Sequence, residues 1–457
     1  MPTESTHSIP PGAAAFADAP FDPEALIEAF VRHDNGCENG RGRSDSADSG
    51  HLGWGEAAFL DAYVKLYEVT GDAAWLDRVV EHADRIFAHR ADCLGDGRLT
   101  WVTDTYSEAV LECQPLHNRG TGRLEVRDGR IWKTRGGDQV EEAELVLEIQ
   151  ADRRFRLRRA GTHTELGRGQ YRSGADLDVL QPFSVALAGR HQPGDAYLLR
   201  TYAPRPLEYI VHQGQFLYPI ARFCELALTR RPLRRYGPRA HTYVDLVYEL
   251  ARNAESDWLD MGRGAGAYRF CTSPSQRFPN RILPHNQYLS MARAYAVLTA
   301  VSRRALFRER AEGMGKWFRR NLRRVDAAYQ WHYWDWVEAG EAGHSAVEDT
   351  SHGNIDICFA VEACRRGLGF RPADLKRFAA ALLQRMWNGS MTEPVIAHRV
   401  DGTPGDSRPL RNWIDLCQWE PAVWDVLWAL YERLERPPAE GPTMLRGWLR
   451  RGRGATR

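Results

Sequence analysis

A helix hairpin that recurs is the feature that most limits what this chain can fold into. Trp54 to Thr70 carries Phe59, Ala62, Tyr63, Leu66 and Tyr67 at helical spacing and stops at Gly71-Asp72. Ala73 to Arg90 repeats the pattern through Trp75, Leu76, Val79, Val80, Ala83, Ile86 and Phe87. A second copy lies further on without a gap. Ala62, Tyr63, Leu66, Val69, Trp75 and Arg78 match Ala294, Tyr295, Leu298, Val301, Phe307 and Arg310 at a constant offset. Such a repeat predicts helix pairs that stack or close into a ring. Further long helices are expected over 206–230, 241–255, 286–301, 305–322, 349–366, 372–387 and 415–433. Closing six or seven hairpins makes a mainly α fold, an α/α toroid. An open helical solenoid is the alternative, but the unequal, polar-aromatic loops suit a cleft better than uniform repeat turns.

Between the hairpins the period changes. Within residues 119–202, Arg123–Val126, Ile131–Lys133, Glu144–Ile149 and Phe155–Leu157 alternate like strands, and Asp128-Gly129 and Gly136-Gly137 supply turns. A small antiparallel β-sandwich inserted into the helical protein is the expectation. The domain reading is then a flexible leader at 1–20, a first toroid part at 21–118, the β-rich insert at 119–202, a second toroid part at 203–440 and a basic C-terminal tail at 441–457. The glycine-rich loop at 33–50 reads as a linker or a lid.

Charge narrows the function classes. Lysine and arginine total 61 against 60 acids, a net charge of +1, which offers no bulk handle for nucleic acid. No stretch reaches membrane-spanning apolar length, and Met1 to Pro20 has neither a basic start nor an apolar run, so a cytoplasmic protein without a membrane partner is expected. The 8 cysteines form no CxxC pair and read as buried free thiols. By contrast, 15 Trp and 17 Tyr supply the flat rings that stack on sugar faces, and equally the bulk of a large core.

The densest chemistry is Glu348-Asp349-Thr350-Ser351-His352-Gly353-Asn354-Ile355-Asp356, at the start of a helix. On a helix His352 and Asp356 share a face, so Asp356 is positioned to orient the imidazole. A capped helix start accounts for Asp349 but not for His352 with Asn354 and Asp356. Upstream, Trp331-His332-Tyr333-Trp334-Asp335-Trp336 combines an aromatic platform with a phenol suited to acid–base work, or forms an aromatic knot. Arg281 to Tyr288 gathers Arg281, His285, Asn286, Gln287 and Tyr288 at a helix entrance, donors suited to a carboxylate or hydroxyls. His212, within Tyr209 to Tyr218, reads as a functional or a core histidine. Arg399 and Trp413 precede the last helix. His352, Asp356 and His212 are of ligand type, but without spaced His/Cys pairs no metal or other cofactor is expected.

At the helix hairpins, at Leu283–Gln287 (LPHNQ) and at Glu348–Asp356 (EDTSHGNID) the chain resembles α/α-toroid carbohydrate-active enzymes, nearest to polysaccharide lyases of uronate chains such as glucuronan or alginate. That resemblance implies a carbohydrate partner and β-elimination, in which one group neutralises the C5 carboxylate, a base removes the C5 proton and an acid protonates O4. It implies His352 or Tyr333 as base and acid, and Arg281, His285, Asn286 and Gln287 on the carboxylate. Glu348, Asp349 and Asp356 could instead supply the two carboxylates of a glycoside hydrolase. A uronate epimerase shares the first proton abstraction. Tyr288, Trp331, Asn354, Arg399 and Trp413 are expected as further substrate contacts, whereas a non-catalytic sugar-binding scaffold would need only the aromatic platform.

Overall fold

The computed structural model describes residues 21–162, 164–338 and 340–451. Its helices are α1 (Pro23–Gly36), α2 (Ser49–His51), α3 (Ala57–Thr70), α4 (Ala74–Ala88), α5 (Ile210–Thr229), α6 (Gly237–Asn253), α7 (His285–Leu298), α8 (Ala305–Arg320), α9 (Gly353–Arg365), α10 (Pro372–Ala380), α11 (Ala422–Arg433) and α12 (Gly441–Arg451). The repeated hairpin is realised as α3–α4 and again as α7–α8. An inner circuit runs from α3 to α5, α7 and α9, then through the 3-10 segment Trp413–Gln418 to α12, which packs back on α3. The helices α4, α6, α8, α10, α11 and α1 lie outside it.

Sequence character explains who is inside. In α7 every residue from Tyr288 to Leu298 is buried, so the helix is apolar nearly all round and must be surrounded by others. In α4 the apolar residues keep to one stripe, Leu76, Val79, Ala83 and Ile86, and the other face is solvated. Two glycines permit the close inner contacts. A Cβ on Gly214 would stand 2.4 Å from the backbone nitrogen of Met291, and one on Gly53 would stand 2.7 Å from Cα of His212. Thus α5 lies directly against α7, and the π-helical turn Leu52–Glu56 lies directly against the first turn of α5.

The expected fold class requires correction. Helix accounts for 46% of the chain and strand for 20%, and the insert is built on a large curled sheet, where a small sandwich was expected. Its strands are β1 (Glu108–Pro115), β2 (Arg123–Asp128), β3 (Arg130–Trp132), β4 (Ala143–Gln150), β5 (Arg154–Arg159), β6 (Glu165–Gln170), β7 (Ser184–Ala188) and β8 (Ala196–Tyr202). Six of them form one antiparallel sheet in the order β3-β1-β8-β4-β5-β6, and β2 pairs only with β7. Leu147 sits opposite Leu157 on one side and Tyr197 on the other, which makes β4 a central strand. The first strand starts at Glu108, before the expected insert, because Glu108 to Leu111 are buried on the way out of the helical part. The sheet's own core gathers Ala109, Leu147, Phe155, Val185, Leu187 and Leu199, separate from the large helical core.

Two helical expectations also change. The segment 415–433 is broken, because Pro421 lacks an N–H and cannot continue a helix from the 3-10 segment into α11. Residues 441–451, read as tail, form α12 and bury Met444, Leu445 and Arg446. The leader at 1–20 and residues 452–457 lie outside the described residues. No helix among the described residues is long and apolar enough to cross a membrane.

Charges seal the circuit where α12 returns to α3. Arg446 places one guanidinium nitrogen 2.9 and 2.8 Å from the two carboxylate oxygens of Asp415, and Arg450 reaches Asp415 at 2.9 Å and Glu68 at 3.3 Å. Arg222 of α5 also pairs with Glu68. Breaking a buried pair from one side leaves a charge uncompensated, at about 3–5 kcal/mol. Arg446→Met is therefore expected to destabilise the fold by about that amount in chemical denaturation; a loss below 1 kcal/mol would mean that the network does not hold the circuit closed.

Candidate active site

The helical circuit encloses one wide cavity of about 790 Å³. Its wall draws on the turn before α3, on α5, α7 and the start of α9, on Trp132 at the end of β3, and on Tyr106 and Phe278 from loops. The rings of Trp54 and Tyr106 are 45% and 39% exposed, so flat aromatic surface faces the cavity entrance.

His352 lies on the wall just ahead of α9. Asp349 forms a tight Asx turn, accepting hydrogen bonds from the backbone N–H groups of Ser351 and His352, each at 2.9 Å. Its other carboxylate oxygen pairs with Nδ1 of His352, which leaves Nε2 for the cavity. The orienting acid is therefore Asp349, three residues before the histidine, where the sequence suggested Asp356. Asp356, although four residues from His352 on the helix, is turned into the core, where it accepts from Trp331. Burial opposes the charge of His352, but the hydrogen bond and charge of Asp349 outweigh it and raise its pKa above the ordinary 6.5. Asp349 is likewise held well below the usual carboxylate range by His352 and the turn's N–H groups, against the effect of burial. Tyr333 packs on the imidazole with ring centroids 5.2 Å apart, and burial pushes its phenol up to about 12. Gln287 Nε2 donates to its Oη at 3.5 Å.

A second imidazole lines the same cavity. His212, in the first turn of α5, meets Ser49 Oγ through Nδ1 at 3.0 Å, inside the fold. The rings of Trp54, Tyr106 and Tyr209 surround it with centroids 5.5, 5.7 and 5.1 Å away. That apolar jacket removes water from the charged form, and its pKa falls to about 4. One cavity thus holds a histidine biased to the cationic form and another biased to neutral.

Of the residues singled out from sequence, His212, Gln287, Tyr333, His352 and Asn354 line the cavity. The others stand behind it or away from it. Glu348 and Asp356 are fully buried and share one small space; burial pushes both carboxyls up, and the charge of Asp356 adds to the rise at Glu348. Trp331 Nε1 donates to Asp356 at 2.8 Å, and Trp331 stacks on Trp413, whose Nε1 donates to the Thr350 carbonyl at 3.0 Å. His285 bridges Tyr288 and Asp335 at 2.5 and 2.8 Å in the core, and Asn286 is also buried. Arg281 lies over Trp334 and Trp336 and pairs with Glu338. Arg399 reaches the carbonyl of Val347.

Sequence reading passed over Gln215, Tyr218 and Arg293 on the cavity wall, and Asp61 and Glu440 with them. A signal existed for three of these. His212, Gln215 and Tyr218 recur three apart in the first half of α5, and Arg293 interrupts the apolar run of α7. The atoms of Glu348, Asp349 and His352 also lie within 4.8 Å of one another, a donor set of a size and type that suits a small divalent cation.

No family model matches the chain, and no curated protein matches it. Among solved structures, an inactive variant of the α-1,6-mannanase GH76A of Salegentibacter sp. in complex with α-1,6-mannotriose overlays with a TM-score of 0.44 at 11% identity, over 93% of this chain and 98% of that one. FlgL of Xanthomonas campestris overlays at 0.16 and 11%, over 44% and 78%. At those values neither likeness assigns a fold or an activity to this chain.

The Asp349–His352 pair has a signed pH signature. The raised imidazole stabilises the fold fully below its unfolded value of 6.5 and loses that contribution as pH rises through the higher folded value. The lowered carboxyl contributes fully above 3.8 and loses its share as pH falls through the lower folded value. Asp349→Asn leaves the desolvation of His352 in place and removes the main influence that opposes it, the charge of Asp356 alone remaining. NMR titration of that variant should then show the His352 pKa below 6.5; a value still above it would show that another group holds the proton.

Proposed function

We propose that this chain is a carbohydrate-active enzyme that cleaves a glycosidic linkage by general acid–base catalysis, with His352 as acid and His212 as base. The observation that carries this reading is that two imidazoles face one aromatic-rimmed cavity in opposite environments, one bound to a carboxylate and one wrapped in rings. Environments that push two titratable groups apart let one group give a proton while the other takes one at the same pH. The exposed faces of Trp54 and Tyr106 are the kind of surface on which a sugar ring stacks. Tyr333, beside His352 and hydrogen-bonded by Gln287, is placed to relay or share the proton given to the leaving oxygen.

Elimination is the reaction these groups suit best. A neutral imidazole takes the proton from the carbon next to a carboxylate, the bond to the leaving oxygen on the adjacent carbon breaks, and His352 or Tyr333 protonates that oxygen. The buried pair Glu348 and Asp356 does not reach the cavity and supports the wall from behind. Hydrolysis is the second reading, and one observation favours it: Asp61 and Glu440 both line the cavity. Each is already engaged, Asp61 with Lys65 at 2.6 Å and Glu440 with Arg411 at 3.0 Å.

Screening acidic and neutral oligosaccharides separates the two. Elimination yields one ultraviolet-absorbing unsaturated sugar end for each cut, whereas hydrolysis yields reducing ends without that absorbance. His352→Ala and His212→Ala should each lower turnover by about 10²–10⁴-fold, with Tyr333→Phe in the same direction. The kcat/KM profile should fall below about pH 4 as His212 charges, and again on the alkaline side of 6.5 as His352 loses its proton. Wild-type turnover in both His352→Ala and Tyr333→Phe would end this assignment.

A further inference from the structure

Arg293 is a buried cation without a counter-charge. It is 3% exposed, and among the described residues no carboxylate pairs with it. Every other deeply buried arginine nearby is answered: Arg222 by Glu68 and Glu225, Arg446 by Asp415 and Glu68. Arg293 instead donates from Nε to the carbonyl of Ser290 at 3.3 Å, donates to Oε1 of Gln215, and lies over the ring of Tyr218 at 4.7 Å. The amide nitrogen of Gln215 is itself buried without a partner. All three side chains line the cavity. An unpaired guanidinium beside an unsatisfied amide donor is costly to fold, and an arriving anion would relieve both.

We propose that Arg293 and the Gln215 amide receive a carboxylate carried by the sugar, which makes the substrate an acidic, uronate-type oligosaccharide. This rests on the acid–base reading above and adds the substrate class to it. The position fits, because Gln215 and Tyr218 follow His212 by three and six residues along α5, a rise of about 4.5 and 9 Å. A planar guanidinium fork matches a carboxylate in two parallel hydrogen bonds, and the ring of Tyr218 holds the fork from behind. The donors proposed from sequence for this task stand elsewhere: His285 and Asn286 are in the core, and Arg281 is paired with Glu338.

The test is isothermal titration of the full chain with a glucuronate trisaccharide and with the same trisaccharide after reduction of its carboxyls to alcohols. The charged form should bind about 10- to 100-fold more tightly. Arg293→Gln should abolish that preference, and Arg293→Lys should keep part of it. Because the native charge is unpaired, Arg293→Gln should melt at or above the wild-type temperature; a marked fall would show a structural arginine and overturn the proposal. Equal binding of both sugars, binding of neither, or an undiminished preference in Arg293→Gln would also overturn it. The two readings fail separately. If the preference is present and no sugar is cleaved, the acid–base assignment falls and the anchor stands. If cleavage proceeds with an unchanged KM in Arg293→Gln, the anchor falls and the chemistry stands.

Discussion

The structure depends on the buried charges that join its last helix to its first inner one. Glu68 on α3 and Asp415 in the 3-10 segment attract Arg222, Arg446 and Arg450, and the Glu362 carboxylate receives Arg365 and Arg366 at the neighbouring position. The mutual presence of these groups holds Glu68 and Glu362 well below the usual carboxylate range despite burial. Isolated, any one of them would be strongly unfavourable inside a helical core. Together they pin five separate stretches of sequence into a closed circuit, and the cavity exists only because that circuit closes.

Within the cavity the same physics runs in two directions. A carboxylate beside His352 stabilises its charge, and three aromatic rings around His212 deny it water. The two residues are of one chemical type and yet shift in opposite directions from the ordinary imidazole value because of their neighbours. Arg293 is the complementary case, a charge with rings and amides around it and no partner. Its contrast with Arg222 and Arg446, each closed by carboxylates, is what points to a ligand.

Much of the helical frame was legible. The period of Trp54 to Arg90 and its echo at Ala294 to Arg310 came from side chains that recur every three or four residues, a local property. The strands from Arg123 to Leu157 announced themselves by alternation, but not the size of their sheet. Sheet size depends on which distant strands pair, and β1 with β8, or β4 with β8, meet across long sequence separations. The helix break at Pro421 was present in the sequence as a proline and was passed over because the flanking apolar residues kept period.

By itself the sequence determined the helix pairs, the β-rich insert and the crowding of titratable groups between Glu348 and Asp356, because spacing and residue type are local. Only the tertiary structure decided which of those groups meet the cavity. It turned Glu348 and Asp356 inward, gave His352 to Asp349, and brought His212 from another helix to the same wall. It also left Arg293 without a carboxylate. Solvent access and neighbouring charge set protonation and reactivity, and both are properties of packing between segments far apart in the chain.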